Sequence, residues 1–149
     1  MEVTRALVLG QLNRTEPDYE QAAQLGPEAL PFLTDLVEEG NARLASRATY
    51  LAGLINGAQS LEVVQKAARS PDPVVRIAAA ASLSNLEEIP SPLAESMLAD
   101  DDVGVRKWAL RSLEDQNPTG FKSRVREIAE NDPNITLREI ASQVAGRLP

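Results

Sequence analysis

The sequence predicts an all-α fold, a superhelix of about four to five stacked helix pairs, and three observations lead there. Residues 38–54, 70–86, 100–116 and 132–148 repeat one pattern, with starts 32, 30 and 32 residues apart. A fixed period in that range is what a stack of one supersecondary unit produces. Inside each stretch the apolar positions follow helical spacing. No part of the chain shows the sustained alternation of a strand.

The elements follow in chain order. Residues 1–26 read as a degenerate capping pair, Val3 to Leu12 and then Tyr19 to Leu25 closing at Gly26. The first unit of a stack has one face without a neighbour, so divergence there is expected. Four repeats follow at about 27–54, 60–86, 91–116 and 119–148. Their first helices are Pro27 to Val37, with Leu30, Leu33, Leu36 and Val37 on one face; Leu61 to Arg69, capped by Ser60; a run to Leu98 capped by Ser91 before Pro92; and Phe121 to Glu130, faced by Phe121, Val125, Ile128 and Ala129. Asn56-Gly57, Pro90-Ser91-Pro92 and Asn117-Pro118-Thr119-Gly120 supply turn chemistry between units.

The second helices carry the repeat. The third position of each stretch is Gly40, Asp72, Asp102 and Asn134, residue types suited to a helix N-cap. Three residues on stand Val75, Val105 and Leu137, then Arg76, Arg106 and Arg138; the first stretch departs, with Arg43 and Leu44. Seven on are Ala79, Ala109 and Ala141, against Arg47; eleven on, Leu51, Leu83, Leu113 and Ala145; fourteen on, Leu54, Leu86 and Leu148, with Gln116 breaking the rule. These offsets trace a single helical stripe.

Residues 70–83, Ser-Pro-Asp-Pro-Val-Val-Arg-Ile-Ala-Ala-Ala-Ala-Ser-Leu, resemble the second helix of a HEAT repeat, in the short form also called HEAT-like or phycobilisome-lyase-type. Asp132 to Leu148 matches it through Leu137, Arg138, Ala141, Gly146 and Leu148, and residues 26–31 resemble the proline-bent first helix. The resemblance runs from Pro27 to Leu148 and implies a right-handed α-solenoid in a family of scaffolds and a few enzymes. Of those enzymes, the deoxyhypusine hydroxylases hold iron with His-Glu pairs, and this chain has no His. The alkylpurine DNA glycosylases use aromatic and acidic residues in a basic groove, whereas here Trp108 is the single Trp and the chain is acidic. The phycobilin lyases are longer, and no residue here takes over a role from them.

Composition narrows the chemistry. A length of 149 residues suits a single domain over 1–149 with one continuous core. Residues are 43% hydrophobic but 3% aromatic, so Ala and Leu must do the packing, which suits closely stacked helices. Without Cys and His there is no disulfide, thiolate metal site or His-based catalytic triad. The start is unlike a signal peptide and no run reaches transmembrane length, so a soluble cytoplasmic protein without membrane association is expected. Fifteen Lys+Arg against 22 Asp+Glu give −7. The best basic strip, Lys107, Arg111, Lys122, Arg124 and Arg126, is interleaved with Glu114, Asp115, Glu127 and Glu130, so no nucleic acid is expected.

Three groups of residues invite a role. Asp100-Asp101-Asp102 lacks the glycine, closing Glu and alternating ligands of a calcium loop, and reads as a turn with Asp102 as the cap. The column Arg76, Arg106 and Arg138 beside the caps Asp72, Asp102 and Asn134 reads as a structural ladder. Each guanidinium would bond the preceding turn and a neighbouring repeat's acid, for instance the caps Asp72 and Asp102. Columns five, nine and twelve past the cap point away from the packed stripe. They hold Ala45, Thr49, Ala52; Ile77, Ala81, Ser84; Lys107, Arg111, Glu114; and Glu139, Gln143, Gly146. With Tyr50 and Trp108 at the margin, the candidate partner-binding residues are Tyr50, Ile77, Lys107, Trp108 and Arg111.

The expectation is therefore a non-enzymatic scaffold or interaction module, without cofactor or metal, presenting a curved surface to another protein or peptide. A small-ligand or tetrapyrrole-binding, lyase-like protein is the alternative. In dilute solution a monomer is expected, with modest self-association at the C-terminal end if Val125 and Ile128 fail to cover Val144 and Leu148.

Overall fold

The structure is a computed structural model that describes residues 2–149. Among these residues there are ten α-helices, two short 3-10 turns and no strand. The helices are α1 (Arg5–Leu12), α2 (Tyr19–Ala23), α3 (Leu30–Glu39), α4 (Ala42–Ile55), α5 (Ser60–Ala68), α6 (Pro73–Ser82), α7 (Ser91–Leu98), α8 (Val103–Gln116), α9 (Lys122–Asn131) and α10 (Ile135–Arg147). A 3-10 turn, Pro27–Ala29, leads into α3, and another, Leu83–Asn85, ends α6. Helices α4, α6, α8 and α10 pack side by side as one layer, with α2 on the free side of α4; α3, α5, α7 and α9 form the other layer. Contacts are denser along the second-helix layer than between α5, α7 and α9. The array therefore curves with the second helices on its inner side.

Five of these helices, and α1, begin alike. Asp18, Asn41, Asp72, Asp102 and Asn134 sit in extended backbone and accept a hydrogen bond from an amide two or three residues on, at 2.9–3.1 Å. Thr4 does the same for α1 at 3.2 Å. The cap of α4 is thus Asn41 and not Gly40. Gly40 has φ 80° and closes α3 in the left-handed region, where a Cβ is unfavourable. Moving the reference by one residue restores two apolar columns of the first repeat, though Ala45 then stands in the arginine column. Leu44 now stands with Val75, Val105 and Leu137, and Ala48 with Ala79, Ala109 and Ala141. Ser60 and Ser91 are not caps. Ser60 is the buried first residue of α5 and accepts from the Gly57 amide at 2.9 Å, while Ser91 starts α7 without a side-chain cap. Gln116 replaces an apolar contact by a polar one: its amide donates to the Leu86 carbonyl at 2.8 Å, left free where α6 unwinds into its 3-10 turn.

The core consists of two clusters and not the one continuous core expected. One runs from α1 to the start of α5, through Val8, Leu12, Leu33, Leu36, Leu51 and Val63; the other continues to Leu148 through Val64, Leu83, Met97, Leu110, Leu113 and Leu137. They meet at α4 and α5, where small and polar residues line the contact with α6. A Cβ on Gly53 would come within 3.1 Å of the Ser82 Cβ, so the two helices touch almost backbone to backbone. The hydroxyls are locally satisfied: Thr49 donates to the Ala45 carbonyl at 2.8 Å and Ser82 to that of Ala78 at 2.7 Å. One repeat on, Ser112 of α8 donates to the Ala80 carbonyl of α6 at 2.6 Å.

At the far end, Val144 (0% exposed) and Leu148 (3%) are buried in the cluster that holds Val125 and Ile128. The outer face of this last pair is polar. Arg126, Glu130 and Ser142 are exposed where Val64 and Ala94, Leu98, and Ala80 and Leu110 are buried in earlier repeats.

The turn arginines bind as a ladder, but their acids are not the caps. Arg76 donates from Nε and Nη2 to Asp100 at 3.0 and 3.2 Å, and from Nη1 to the carbonyls of Ser70 and Pro71 in its own turn. Arg106 repeats this on Asp132 at 2.9 and 3.2 Å, with Nη1 on the carbonyls of Asp100 and Asp101. Both acids stand two residues before a cap, and each also accepts the cap residue's own amide at 2.9 Å. The caps Asp72 and Asp102 accept the amides of Val74 and Val105 instead. The rung is missing between α4 and α6, where arginine and acid are absent together: Ala45 and Ser70 hold those positions. At the N-terminal junction Glu39 has the acid's place and Arg5 of α1 fills it, with two bonds of 2.7 Å. Arg43 and Arg47 reinforce that junction; Arg47 donates to the carbonyls of Leu12 and Arg14 at 2.7 and 2.6 Å.

Two outcomes follow. The Arg106 and Asp132 side chains are 11% and 5% exposed. Arg106→Ala strips a buried carboxylate of its partner and frees two carbonyls, which is expected to cost about 2–4 kcal/mol in chemical denaturation. Arg138→Ala, which removes only a bond to the Asp132 carbonyl, should cost about 1 kcal/mol. Equal losses would show that the acid contributes nothing. The second outcome concerns pH. Hydrogen bonding to Arg5 holds the Glu39 carboxyl below the ordinary carboxylate range. A lowered acid stabilises the fold above its unfolded pKa, and that stabilisation is lost as pH falls through the lowered value. The protection of α1 amides, relative to their intrinsic exchange rates, should accordingly fall below about pH 4, and Glu39→Gln should abolish that fall while lowering protection at neutral pH.

Candidate functional site

The outward side of the second helices, opposite the core stripe, is the candidate site. With Asn41 as reference its first-repeat residues are Ser46, Tyr50 and Gly53, of which Gly53 is buried against Ser82, as are Ala45, Thr49 and Ala52 of the expected set. The correction carries Tyr50 into the same column as Ala81, Arg111 and Gln143. Tyr50 does not stand alone there: its ring meets Tyr19 of α2 edge-to-face, centroids 4.8 Å apart and planes at 76°. On the neighbouring helix the column is small, Ala78 and Ala81. On α8 it rises again with Trp108 and Arg111.

Trp108 is 42% exposed, and the Lys107 ammonium lies 6.0 Å from its ring centroid, the outer limit of a cation–π contact. Ile77 is half-buried, and its Cδ1 lies 2.9 Å from where a Cβ on Gly104 would stand. It therefore serves mainly as a packing residue between α6 and α8, and Gly104 provides the room. Arg111 is directed by Glu114 at 3.4 Å, and Glu114 also takes Arg147 of α10 at 3.0 Å. One carboxylate thus ties two guanidinium groups across two repeats and leaves a net positive charge.

Sequence reasoning missed part of this surface. Among the described residues the exposed large hydrophobics are Leu7, Val74, Val103, Trp108 and Ile135, and all except Leu7 lie in the first two turns of α6, α8 and α10. Val74 is 53% exposed, Val103 43% and Ile135 63%. Val103 and Ile135 directly follow their caps, Val74 stands one residue further from its own, and Trp108 lies a turn and a half along α8, so exposed apolar side chains recur near the starts of three adjacent second helices. The available signal was local: the first turn of a helix favours acidic residues, yet these helices start with Pro73-Val74, Val103 and Ile135.

The other proposed chemistries divide differently. Asp100-Asp101-Asp102 is a turn: Asp102 caps α8 and Asp100 receives Arg76. The basic strip is dispersed. Lys107 and Arg111 are on the outward side of α8, Arg124 pairs with Glu95 and Glu127, and Lys122 and Arg126 line a groove with Ser142 and Gly146 at the end of the stack. The recess between α7 and α9, of about 410 Å³, is open and lined largely by charged residues, and another of about 400 Å³ lies between Asn56, Leu61, Leu86 and the carboxylates of Glu87 and Glu88. No described helix is long and apolar enough to cross a membrane.

Comparison with known proteins agrees with this architecture. A family model described as HEAT repeats matches residues 30–114, from α3 to near the end of α8. No curated protein matches the chain. The matched region holds three of the successive helix pairs and more than half of the chain, and this protein belongs to the HEAT repeat family.

Proposed function

We propose that the protein is a non-enzymatic interaction module that docks another protein or peptide on its second-helix face. The supporting observation is that Val74, Val103, Trp108 and Ile135 are exposed in the first two turns of three adjacent second helices. HEAT repeats are commonly protein-interaction scaffolds, which agrees with it. Isolated exposed aliphatics are ordinary, but their recurrence at the starts of three adjacent helices is a reason to look for a partner there. Trp108 provides a large anchor at little entropic cost, and Lys107 and Arg111 flank it with charge, the residue types that dominate interfaces. Tyr50 and Ile77 shape the rest of the face. Rigid stacking keeps these groups in register before binding, so little ordering has to accompany association. Open recesses lined by charged groups suit such a surface better than they suit a tetrapyrrole, which needs an enclosed apolar pocket.

The single tryptophan gives the test. Partners captured from the native host by wild-type protein should be lost, by about tenfold or more in affinity, with Trp108→Ala and Val74→Ser. Both substitutions are exposed and should leave the melting temperature nearly unchanged. On binding, Trp108 fluorescence should shift to the blue as the ring leaves water. Partners that bind the two variants as well as wild type, with an unshifted emission, would remove the docking site from this face.

A further inference from the structure

The charge of this acidic chain is sorted by helix layer. The second helices α4, α6, α8 and α10 carry eight of the 15 basic residues and three of the 22 acidic ones, so they hold +5 while the remainder holds −12. Arg76 and Arg106 are committed to Asp100 and Asp132 in the turns, which still leaves +3 for the other residues of these helices. Helices α4 and α6 contain no acid, and the three acids of the layer are Glu114 and Asp115 near the end of α8 and Glu139 on α10. The positive groups lie where the exposed apolar ones do. Lys107 is exposed beside Trp108, and Arg111 stands one turn beyond Lys107 on the same side of α8. On α4, Arg47 holds the position that Trp108 holds on α8, six residues past the cap. Its guanidinium donates to the carbonyls of Leu12, Arg14 and Thr15, neutral acceptors that leave its charge uncancelled. Arg43, one turn earlier, likewise bonds only the side chain and carbonyl of Asn13. Between the two basic helices, α6 contributes the small side chains of Ala78 and Ala81.

We infer that the partner of this face is an acidic peptide segment, in which Asp or Glu side chains flank an aromatic or aliphatic residue. The inference rests on the docking reading above and adds the partner's charge to it. The apolar residue lies against Trp108, carboxylates pair with Lys107 and Arg111, and the segment runs over α6 towards Arg43 and Arg47, away from Glu139. Two interhelical spacings of about 8–10 Å separate α8 from α4, a span that about six extended residues cover. Bonds from Lys and Arg to carboxylates are charge-assisted, which makes them the stronger kind. The negative remainder of the chain repels an acidic partner from every other surface, so charge also selects the place of docking. Nucleic acid fits less well. Its regularly spaced phosphates meet Glu114, Asp115 and Glu139 beside the basic groups, and they make no use of Val74 and Val103.

Random peptides displayed on phage and selected on the immobilised protein test this. Enriched sequences should combine acidic with aromatic or aliphatic residues, and synthetic copies should shift Trp108 fluorescence to the blue. Their affinity should fall about tenfold or more between about 50 mM and about 300 mM salt. Replacing their Asp and Glu by Asn and Gln should cost as much, and so should Lys107→Glu combined with Arg111→Gln in the protein. If Arg111→Gln lowers the melting temperature by releasing Glu114, Lys107→Glu alone supplies the readout, since Lys107 makes no ion pair among the described residues. Neutral or basic peptides that are enriched and then lost with Trp108→Ala would overturn the acidic partner while the docking face stands. Acidic peptides that bind Trp108→Ala as tightly as wild type would remove the face, and the inference with it. Random single-stranded DNA that binds more tightly than the selected peptides in the same buffer would make this a nucleic-acid surface instead. No enrichment over a blank support would also overturn the inference.

Discussion

The arginine one turn into a second helix is the interaction on which the stack depends. One side of its guanidinium satisfies carbonyls of the turn that precedes its own helix, and the other side holds a carboxylate of the next repeat. A turn between helices leaves polar groups that cannot be buried without partners, and five N–H donors in a rigid plane meet that need at a single point. The link also sets register. Asp100 and Asp132 simultaneously fold their own turns by accepting the cap residue's amide, so a shift of one repeat against its neighbour would break two turns together. Where the arginine is absent the acid is absent too, at Ala45 and Ser70. That junction instead relies on the close approach of Gly53 to Ser82.

Close approach explains the sparse aromatic content and the divided core. Small residues let α4, α6 and α8 pack near backbone contact, which gains dispersion energy over many atoms. It also brings carbonyls within reach of hydroxyls on the adjacent helix, as with Ser112 and Ala80. The first helices, separated by bulkier Leu, Met and Val side chains, spread apart. The difference in spacing between the two layers produces the curvature, and curvature gathers the outward residues of the second helices onto one face.

On that face the repeat serves two ends. Positions needed for packing are nearly uniform, Ala or Leu in most repeats. Outward positions vary from Tyr50 through Ala81 to Arg111 and Gln143, the freedom that lets a stack acquire a recognition surface without disturbing its core. The aliphatic residues at the starts of α6, α8 and α10 are the departure from that freedom. They forgo the stabilisation an acidic residue would add at a helix N-terminus, and leave exposed apolar groups near the starts of three adjacent helices.

By itself, the sequence determined the helices, the second-helix caps in three of four repeats, the period and the family, because these rest on local chemistry and on spacing along a helix; its first-helix caps Ser60 and Ser91 did not hold. It also contained the ladder arginines and the turn reading of the three aspartates. The cap of α4 was misread because Gly40 and Asn41 both suit a helix boundary, and only the backbone shows that the glycine, at φ 80°, ends one helix while the asparagine begins the next. The acids that receive the arginines could not be read, since which carboxylate two repeats share depends on how far one unit is shifted against another. Nor could the second-helix face, because Val74 or Ile135 is apolar in the sequence whether a neighbour covers it or water does. Contact across repeats decided both, through distances of a few ångströms between residues about 24 to 32 positions apart.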